Sequence, residues 1–208
     1  MVKNITQLVN DEIYHVVFRA VGDTKIFNNE DDFYRAIFSL YEFNNTDLVE
    51  IWLRRKQRRQ EKLLGSPTPQ RDLLVEVMLF SLMPNHFHLL LKQKKDGGIS
   101  RFVQKVSGGY ANYFNRKYNR KGHLFNKFRS IHIKDDKQLY NVFVYIHANP
   151  ISLVEPQWKE NGIKNPQKVI KFLKNYRWSS YLDYIGKNNF PSIIEKNFLL
   201  STMGNEKG

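Results

Sequence analysis

No cysteine occurs among the 208 residues. That absence excludes disulfides and thiolate metal sites, so a bound metal must rest on histidine, carboxylate or amide oxygen. A covalent nucleophile must likewise be Ser, Thr, Tyr, Asp, Glu, Lys or His. No apolar run approaches the ~20 residues that cross a bilayer, and Met1 to Asn10 lacks the apolar stretch of a secretory signal, so a cytoplasmic protein without a membrane partner is expected. The Walker-type glycine loop is missing, as are internal repeats and low-complexity blocks. Acidic residues are few: 20 Asp and Glu stand against 33 Lys and Arg, a net charge of +13. Such a balance suits a polyanionic partner, because phosphate neutralisation supplies the main non-specific part of nucleic-acid affinity.

What is present suffices for a core of ordinary size, with 41% hydrophobic residues and 15 Phe, 11 Tyr and 3 Trp. Ile13 to Val21 is β-rich and ends at the turn pair Gly22-Asp23. Tyr14 and His15 lie at its start and read as packing or rim residues. Asn28 or Asn29 caps a helix with Glu30, Asp31 and Asp32 in its first turn, and Phe33, Ile37, Phe38, Leu40 and Tyr41 form its apolar stripe. This helix should stop near Asn44-Asn45. Residues from about 47 to 70 then read as a basic helical insertion (Arg54, Arg55, Arg58 and Arg59 among its cations) followed by a flexible Gly65-Ser66-Pro67-Thr68-Pro69 linker. The insertion suits contact with a phosphate backbone.

Leu73 to Leu82 is apolar on both faces except for Glu76 and Ser81, as expected of a central strand. Pro84-Asn85 turns the chain into a strand from His86 to Lys92. Alternation puts His86 and His88 on one face, about 7 Å apart, and Phe87, Leu89 and Leu91 on the other. Two imidazoles on a rigid strand suit a divalent metal, although such a pair also arises as plain half-exposed strand residues. Ser100 caps a long helix, Arg101 to Tyr118, with a core stripe through Phe102, Val106, Tyr110, Tyr113 and Phe114 and a basic side and tail of Arg116, Lys117, Arg120 and Lys121. Phe128 to Lys134 reads as the last strand. A helix capped by Asp135-Asp136 follows, from Lys137 to Ala148, and ends before Pro150. On it Tyr145 and Asn149 are i, i+4 and share a face, whereas His147 points about 200° away from Tyr145. If that face covers the histidines, a metal would find two nitrogens and one oxygen beside a phenol.

The order strand, helix, strand, strand, helix, strand predicts an α+β, ferredoxin-like split βαβ with a central antiparallel sheet and packed helices. Residues 1–150 form the expected domain. Residues 151–208 form a C-terminal extension that packs on it or trails behind.

Met83-Pro84-Asn85-His86-Phe87-His88-Leu89-Leu90-Leu91, Tyr113-Phe114-Asn115-Arg116, Gly122-His123-Leu124-Phe125 with Phe128-Arg129-Ser130, Tyr145-Ile146-His147-Ala148-Asn149-Pro150 and Trp178-Ser179-Ser180 follow one another in this order. In that series the chain resembles the REP-associated tyrosine transposases, single-tyrosine transposases of the HUH endonuclease superfamily. The resemblance implies His86, His88 and Asn149 as ligands of a divalent ion, Mg²⁺ or Mn²⁺, and Tyr145 as the nucleophile. It also implies a single-strand DNA endonuclease and strand transferase acting through a 5′-phosphotyrosine. Single-stranded or hairpin DNA, met at the nucleoid by a monomer or homodimer, is then the expected partner. Arg116, Lys117, Arg120, Lys121, Lys127 and Arg129, with the cations of the insertion, are the candidate DNA contacts. A replication-initiator or relaxase-like nickase shares the histidine pair. A catalytically inactive DNA-binding protein would share the fold and the charge.

Overall fold

The computed structural model describes residues 8–64 and 71–204. The linker expected at 65–69 lies outside them. Four strands, β1 (Ile13–Arg19), β2 (Val75–Met83), β3 (His86–Gln93) and β4 (Arg129–His132), form one antiparallel sheet in the order β2-β3-β1-β4. Helix α1 (Glu30–Glu42) and the basic helix α2 (Ile51–Leu64) separate β1 from β2, and α3 (Gly98–Lys117) separates β3 from β4. The split βαβ expected from the sequence is therefore the fold. Helix α4 (Asp136–Ala148) follows β4, and the short helices α5 (Trp158–Asn161), α6 (Pro166–Leu173), α7 (Tyr181–Tyr184) and α8 (Asn197–Gly204) complete the described chain.

Strand alternation divides the sheet into two unlike faces. Tyr14, Val16 and Phe18 of β1 and Phe87, Leu89 and Leu91 of β3 join Phe102, Val106 and Tyr110 of α3 and Leu40 of α1 in the main core. On the other face Leu90 packs with Leu139 and Ile146 of α4 and with Leu199 of α8. α1 and α3 thus cover one side and α4 the other. β2 departs from the expectation of a central strand, because it lies at the edge of the sheet. It reads as central because its outer edge is covered. The Leu82 N–H donates to the Trp178 carbonyl and the Ser180 N–H to the Phe80 carbonyl, each at 2.9 Å. The C-terminal segment thereby satisfies backbone groups that an open edge would leave to solvent or to another chain.

Asn29 caps α1 in a capping box with Asp32. The long helix begins at Gly98 rather than Arg101, and its cap is Gly97, not Ser100. At φ 64° Gly97 adopts a left-handed conformation that glycine takes without strain. Gly98 follows because an added Cβ would lie 2.3 Å from the Leu74 carbonyl oxygen.

The two helices on the core face are joined through Asp32, whose side chain is fully buried. Its carboxylate accepts from Lys117 Nζ at 2.7 Å, Tyr113 at 2.8 Å and Tyr118 at 2.7 Å, and from the Asn28 N–H at 2.9 Å. Desolvation works against the ionised form, but these donors, Lys117 foremost, outweigh it and hold the carboxyl below its ordinary value. Lys117 is thus engaged within the fold. A carboxylate with a depressed pKa adds stability above its unfolded value and loses it as pH falls through the folded one. Asp32→Asn is expected to cost about 3 kcal/mol at pH 7 in urea unfolding. The difference from the wild type should shrink as pH drops below the ordinary 3.8; a gap of constant size down to pH 3 would refute the assignment.

Candidate active site

β3 carries His86 and His88 on the face turned to α4, and the register sets Arg19 opposite His86 and Val17 opposite His88. Both imidazoles are buried, and their Nε2 atoms lie 2.9 Å apart. Burial is the main reason both rings stay neutral: it lowers His86 to about 4, assisted by Arg19 and Lys159, and His88 to about 2, assisted by His86, His15, Lys159 and Arg19. A neutral imidazole is the form that ligates metal.

The other ring nitrogens are held as well. His86 Nδ1 lies 2.6 Å from Asn85 Oδ1, and Asn85 Nδ2 donates to Asp23 at 3.0 Å, which fixes the amide so that its oxygen faces the ring. His86 therefore carries its proton on Nδ1 and directs the Nε2 lone pair at His88. Asp23 owes its place to the turn after β1, where Gly22 at φ 60° and Asp23 at φ 53° are both left-handed. On the far side of His88, Nδ1 lies 3.0 Å from Nε2 of His15.

α4 brings Tyr145 against His88 and His15. Its ring meets His88 edge-on at a centroid distance of 5.5 Å and His15 at 5.9 Å. Asn149, one turn on, is buried and leaves one amide terminus, Nδ2, without a partner. The two ends of a carboxamide are interchangeable in assignment, so this orphan marks a polar terminus waiting for a ligand. Among the described residues no cluster of three or more His, Cys, Asp or Glu side chains is arranged to hold a metal. The two facing imidazoles and the buried carboxamide of Asn149 are donor types that a divalent ion accepts. Ligands at ~2.1 Å and right angles around an ion stand about 3 Å apart, which the two Nε2 atoms match.

A cleft of about 820 Å³ opens beside Tyr145, lined by His88, Arg19, Lys127, Phe128, Arg129 and Ile131 among others. Of the candidate DNA contacts, Lys127 and Arg129 stand here. Arg116 and Lys117 line a separate cleft with Arg55 and Trp52. Arg54 and Arg58 pair with the buried Glu42 at 3.1 and 2.8 Å. Arg59 and Lys121 are exposed, and Arg120 bonds Asn115 and the Gly122 carbonyl.

Sequence reasoning passed over several neighbours. His15, expected as packing or rim, is buried on the face of β1 that it shares with Val17 and Arg19, with its Nε2 3.0 Å from His88 Nδ1. Its parity with those residues was readable, but its neighbour across the sheet was not. Lys159, on α5, places Nζ 3.4 Å from the Tyr145 hydroxyl and 4.6 Å from the ring centre. No motif announces it. His147 faces away as expected and is buried 3.0 Å from Ser180 Oγ. Tyr110 and Tyr113 are core-stripe residues whose hydroxyls donate to the Ile26 carbonyl and to Asp32. Tyr140 is exposed, and His132 bonds Glu12 at 2.9 Å.

The family model described as IS200-like transposase matches residues 68–149, which span β2 through α4. A solved REP-associated tyrosine transposase bound to a REP hairpin aligns over 95% of this chain and 93% of its own, with a TM-score of 0.52 and 12% identity, and shares the fold. A bacterial tRNA(His) guanylyltransferase-like protein in complex with ATP covers 81% of this chain and 69% of its own (TM-score 0.41, 11% identity). A putative transposase from Deinococcus radiodurans covers 66% and 90% (TM-score 0.29, 16% identity). Neither of these two alignments is close enough to bear on the site. No curated protein matches the chain in sequence. The family match supports a transposase function.

The Ser180 hydroxyl accepts from the Phe80 N–H at 3.1 Å besides meeting His147, so its place is structural. Ser180→Ala is expected to leave the buried Phe80 N–H unpaired and cost about 2 kcal/mol in thermal or urea unfolding. A loss below a few tenths would show that water takes over the bond.

Proposed function

We propose that this chain, whose residues 68–149 match the IS200-like transposase family, is a DNA strand transferase that cuts single-stranded or hairpin DNA with Tyr145. The observation that carries the proposal is Tyr145 edge-on against His88, whose Nε2 faces Nε2 of His86, beside a cleft lined by Arg19, Lys127 and Arg129. A nucleophile and a convergent pair of neutral imidazoles are the parts a phosphoryl transfer needs within reach of one phosphate.

In the proposed step the Tyr145 oxygen attacks the scissile phosphorus as the bond to the 3′ oxygen breaks. The products are a 5′-phosphotyrosine and a free 3′-hydroxyl, and the phenolic proton lost is balanced by the proton gained on that hydroxyl. A phosphodiester charge is present before and after, so the linkage energy is kept and attack by another 3′-hydroxyl reverses the step without ATP. His86 and His88, with a carboxamide oxygen from Asn149, would hold a divalent ion, Mg²⁺ or Mn²⁺, which when bound supplies Lewis-acid polarisation of the phosphate. Lys159 sets an ammonium beside the attacking oxygen, where charge on the transferring group is offset. Arg19, Lys127 and Arg129 line the strand's approach, and Phe128 offers a face on which a base can stack.

The fold-level relative binds a REP hairpin, and hairpin DNA is accordingly the first substrate to try. Labelled oligonucleotides incubated with protein and Mn²⁺ should give a covalent adduct on a denaturing gel, and Tyr145→Phe should abolish it. An adduct that persists in Tyr145→Phe would move the nucleophile elsewhere and sink the assignment. Lys159→Met should slow adduct formation by about a hundredfold at saturating DNA, with Lys159→Arg partly restoring it. Arg129→Ala should weaken single-strand binding and lower the slope of log affinity against log salt by about 0.7. An unchanged slope would remove Arg129 from the strand's path.

A further inference from the structure

We propose that His15 is a positioning residue for His88: it accepts the His88 Nδ1 proton and thereby keeps the His88 Nε2 lone pair directed at the ion. The inference rests on the reading of His86 and His88 as metal ligands and extends it to a residue outside the ligand set. His15 lies on β1 with its ring stacked on that of His88, centroids 5.2 Å apart and planes inclined by 20°. The ring is buried, and its Nε2 meets His88 Nδ1 at 3.0 Å. Between β1 and β3 the ladder pairs Val17 with His88, so His15, two residues before Val17 on the same face, reaches the ligand diagonally.

The hydrogen-bond chain His15–His88–His86–Asn85 explains why this contact matters. The Asn85 end is fixed, because Asn85 Oδ1 can only accept, so His86 Nδ1 donates and His86 Nε2 is a lone pair. The remaining proton on His88 then has two places. With it on Nε2, His88 donates to His86 across 2.9 Å and accepts from His15, which closes the chain without an ion. With it on Nδ1, His88 donates to His15 and both Nε2 lone pairs converge. The second arrangement brings two lone pairs together and is stable only with a cation between them. His15 Nε2, 3.0 Å from His88 Nδ1, is placed to be the acceptor the second arrangement needs, in the manner by which outer partners orient ligating histidines and raise their basicity. One histidine thus lets the site exist in a proton-closed form and a cation-ready form that differ by tautomers alone.

The test measures metal binding rather than cleavage. Mn²⁺ titrations followed by electron paramagnetic resonance would compare wild type, His15→Phe and His15→Gln, with His86→Ala and His88→Ala as controls. His15→Phe keeps a flat ring without an acceptor and should weaken Mn²⁺ binding at least about tenfold. His15→Gln restores an acceptor oxygen and should recover most of the loss. Long-range ¹H–¹⁵N spectra of the wild type, before and after Zn²⁺, need no variant and should report His88 moving from the Nε2–H to the Nδ1–H tautomer. Wild-type affinity in a folded His15→Phe, or a His88 whose Nδ1 carries no proton once Zn²⁺ is bound, would overturn the proposal. If instead His86→Ala and His88→Ala leave Mn²⁺ binding unchanged, the metal-ligand reading itself fails. Loss in those controls with none in His15→Phe refutes the His15 role alone.

Discussion

The site depends on a strand that cannot move. β3 is hydrogen-bonded on both sides, to β1 and β2, and Phe87, Leu89 and Leu91 are wholly buried on its core face. A rotation that carried His86 or His88 away would have to drag those side chains out of a close-packed core. Their rings are therefore presented from a rigid support. On the opposite face the rings are themselves buried, and that burial is the main cause that keeps them neutral.

The second half of the site is held less directly. Tyr145 reaches His88 because Leu139 and Ile146 of α4 are buried against the sheet with Leu90 and Leu199. The far side of α4 is held by His147, which packs edge-on against Phe143 and near Tyr181 and Tyr184 and meets Ser180. Residues beyond Pro150 thus contribute twice, by covering the edge of β2 and by bringing Lys159 to the Tyr145 hydroxyl. Removal of that stretch would disturb both the support of the tyrosine and the charge beside it.

Much of this was legible in the sequence, for reasons that can be stated. Alternation alone puts His86 and His88 on one face, and helical period alone puts Tyr145 and Asn149 on another. The breakers around each element fix the order of strands and helices. Each of these is a local relation. His15 and Lys159 were hidden because their importance lies in neighbours 73 and 14 residues away. β2 misled for a related cause: an edge strand covered by Trp178 to Ser180 has the composition of a central one. The long helix was misread at its cap because Gly97 provides backbone geometry rather than a side chain.

Net charge, finally, is a poor map of where a polyanion would lie. Several cations of the basic runs are spent inside the fold: Lys117 on Asp32, and Arg54 and Arg58 on Glu42. Those groups tie α3 to α1 and α2 to α1 on the covered side of the sheet. Arg19, Lys127 and Arg129 are fewer, yet they line the cleft beside Tyr145 and His88, and Lys159 meets the Tyr145 hydroxyl. Arg19 and Lys159 also help to keep the two histidines unprotonated, since a positive charge nearby opposes a second one. What these cations do to the imidazoles is thus set by their distance from β3 rather than by the sum of charge.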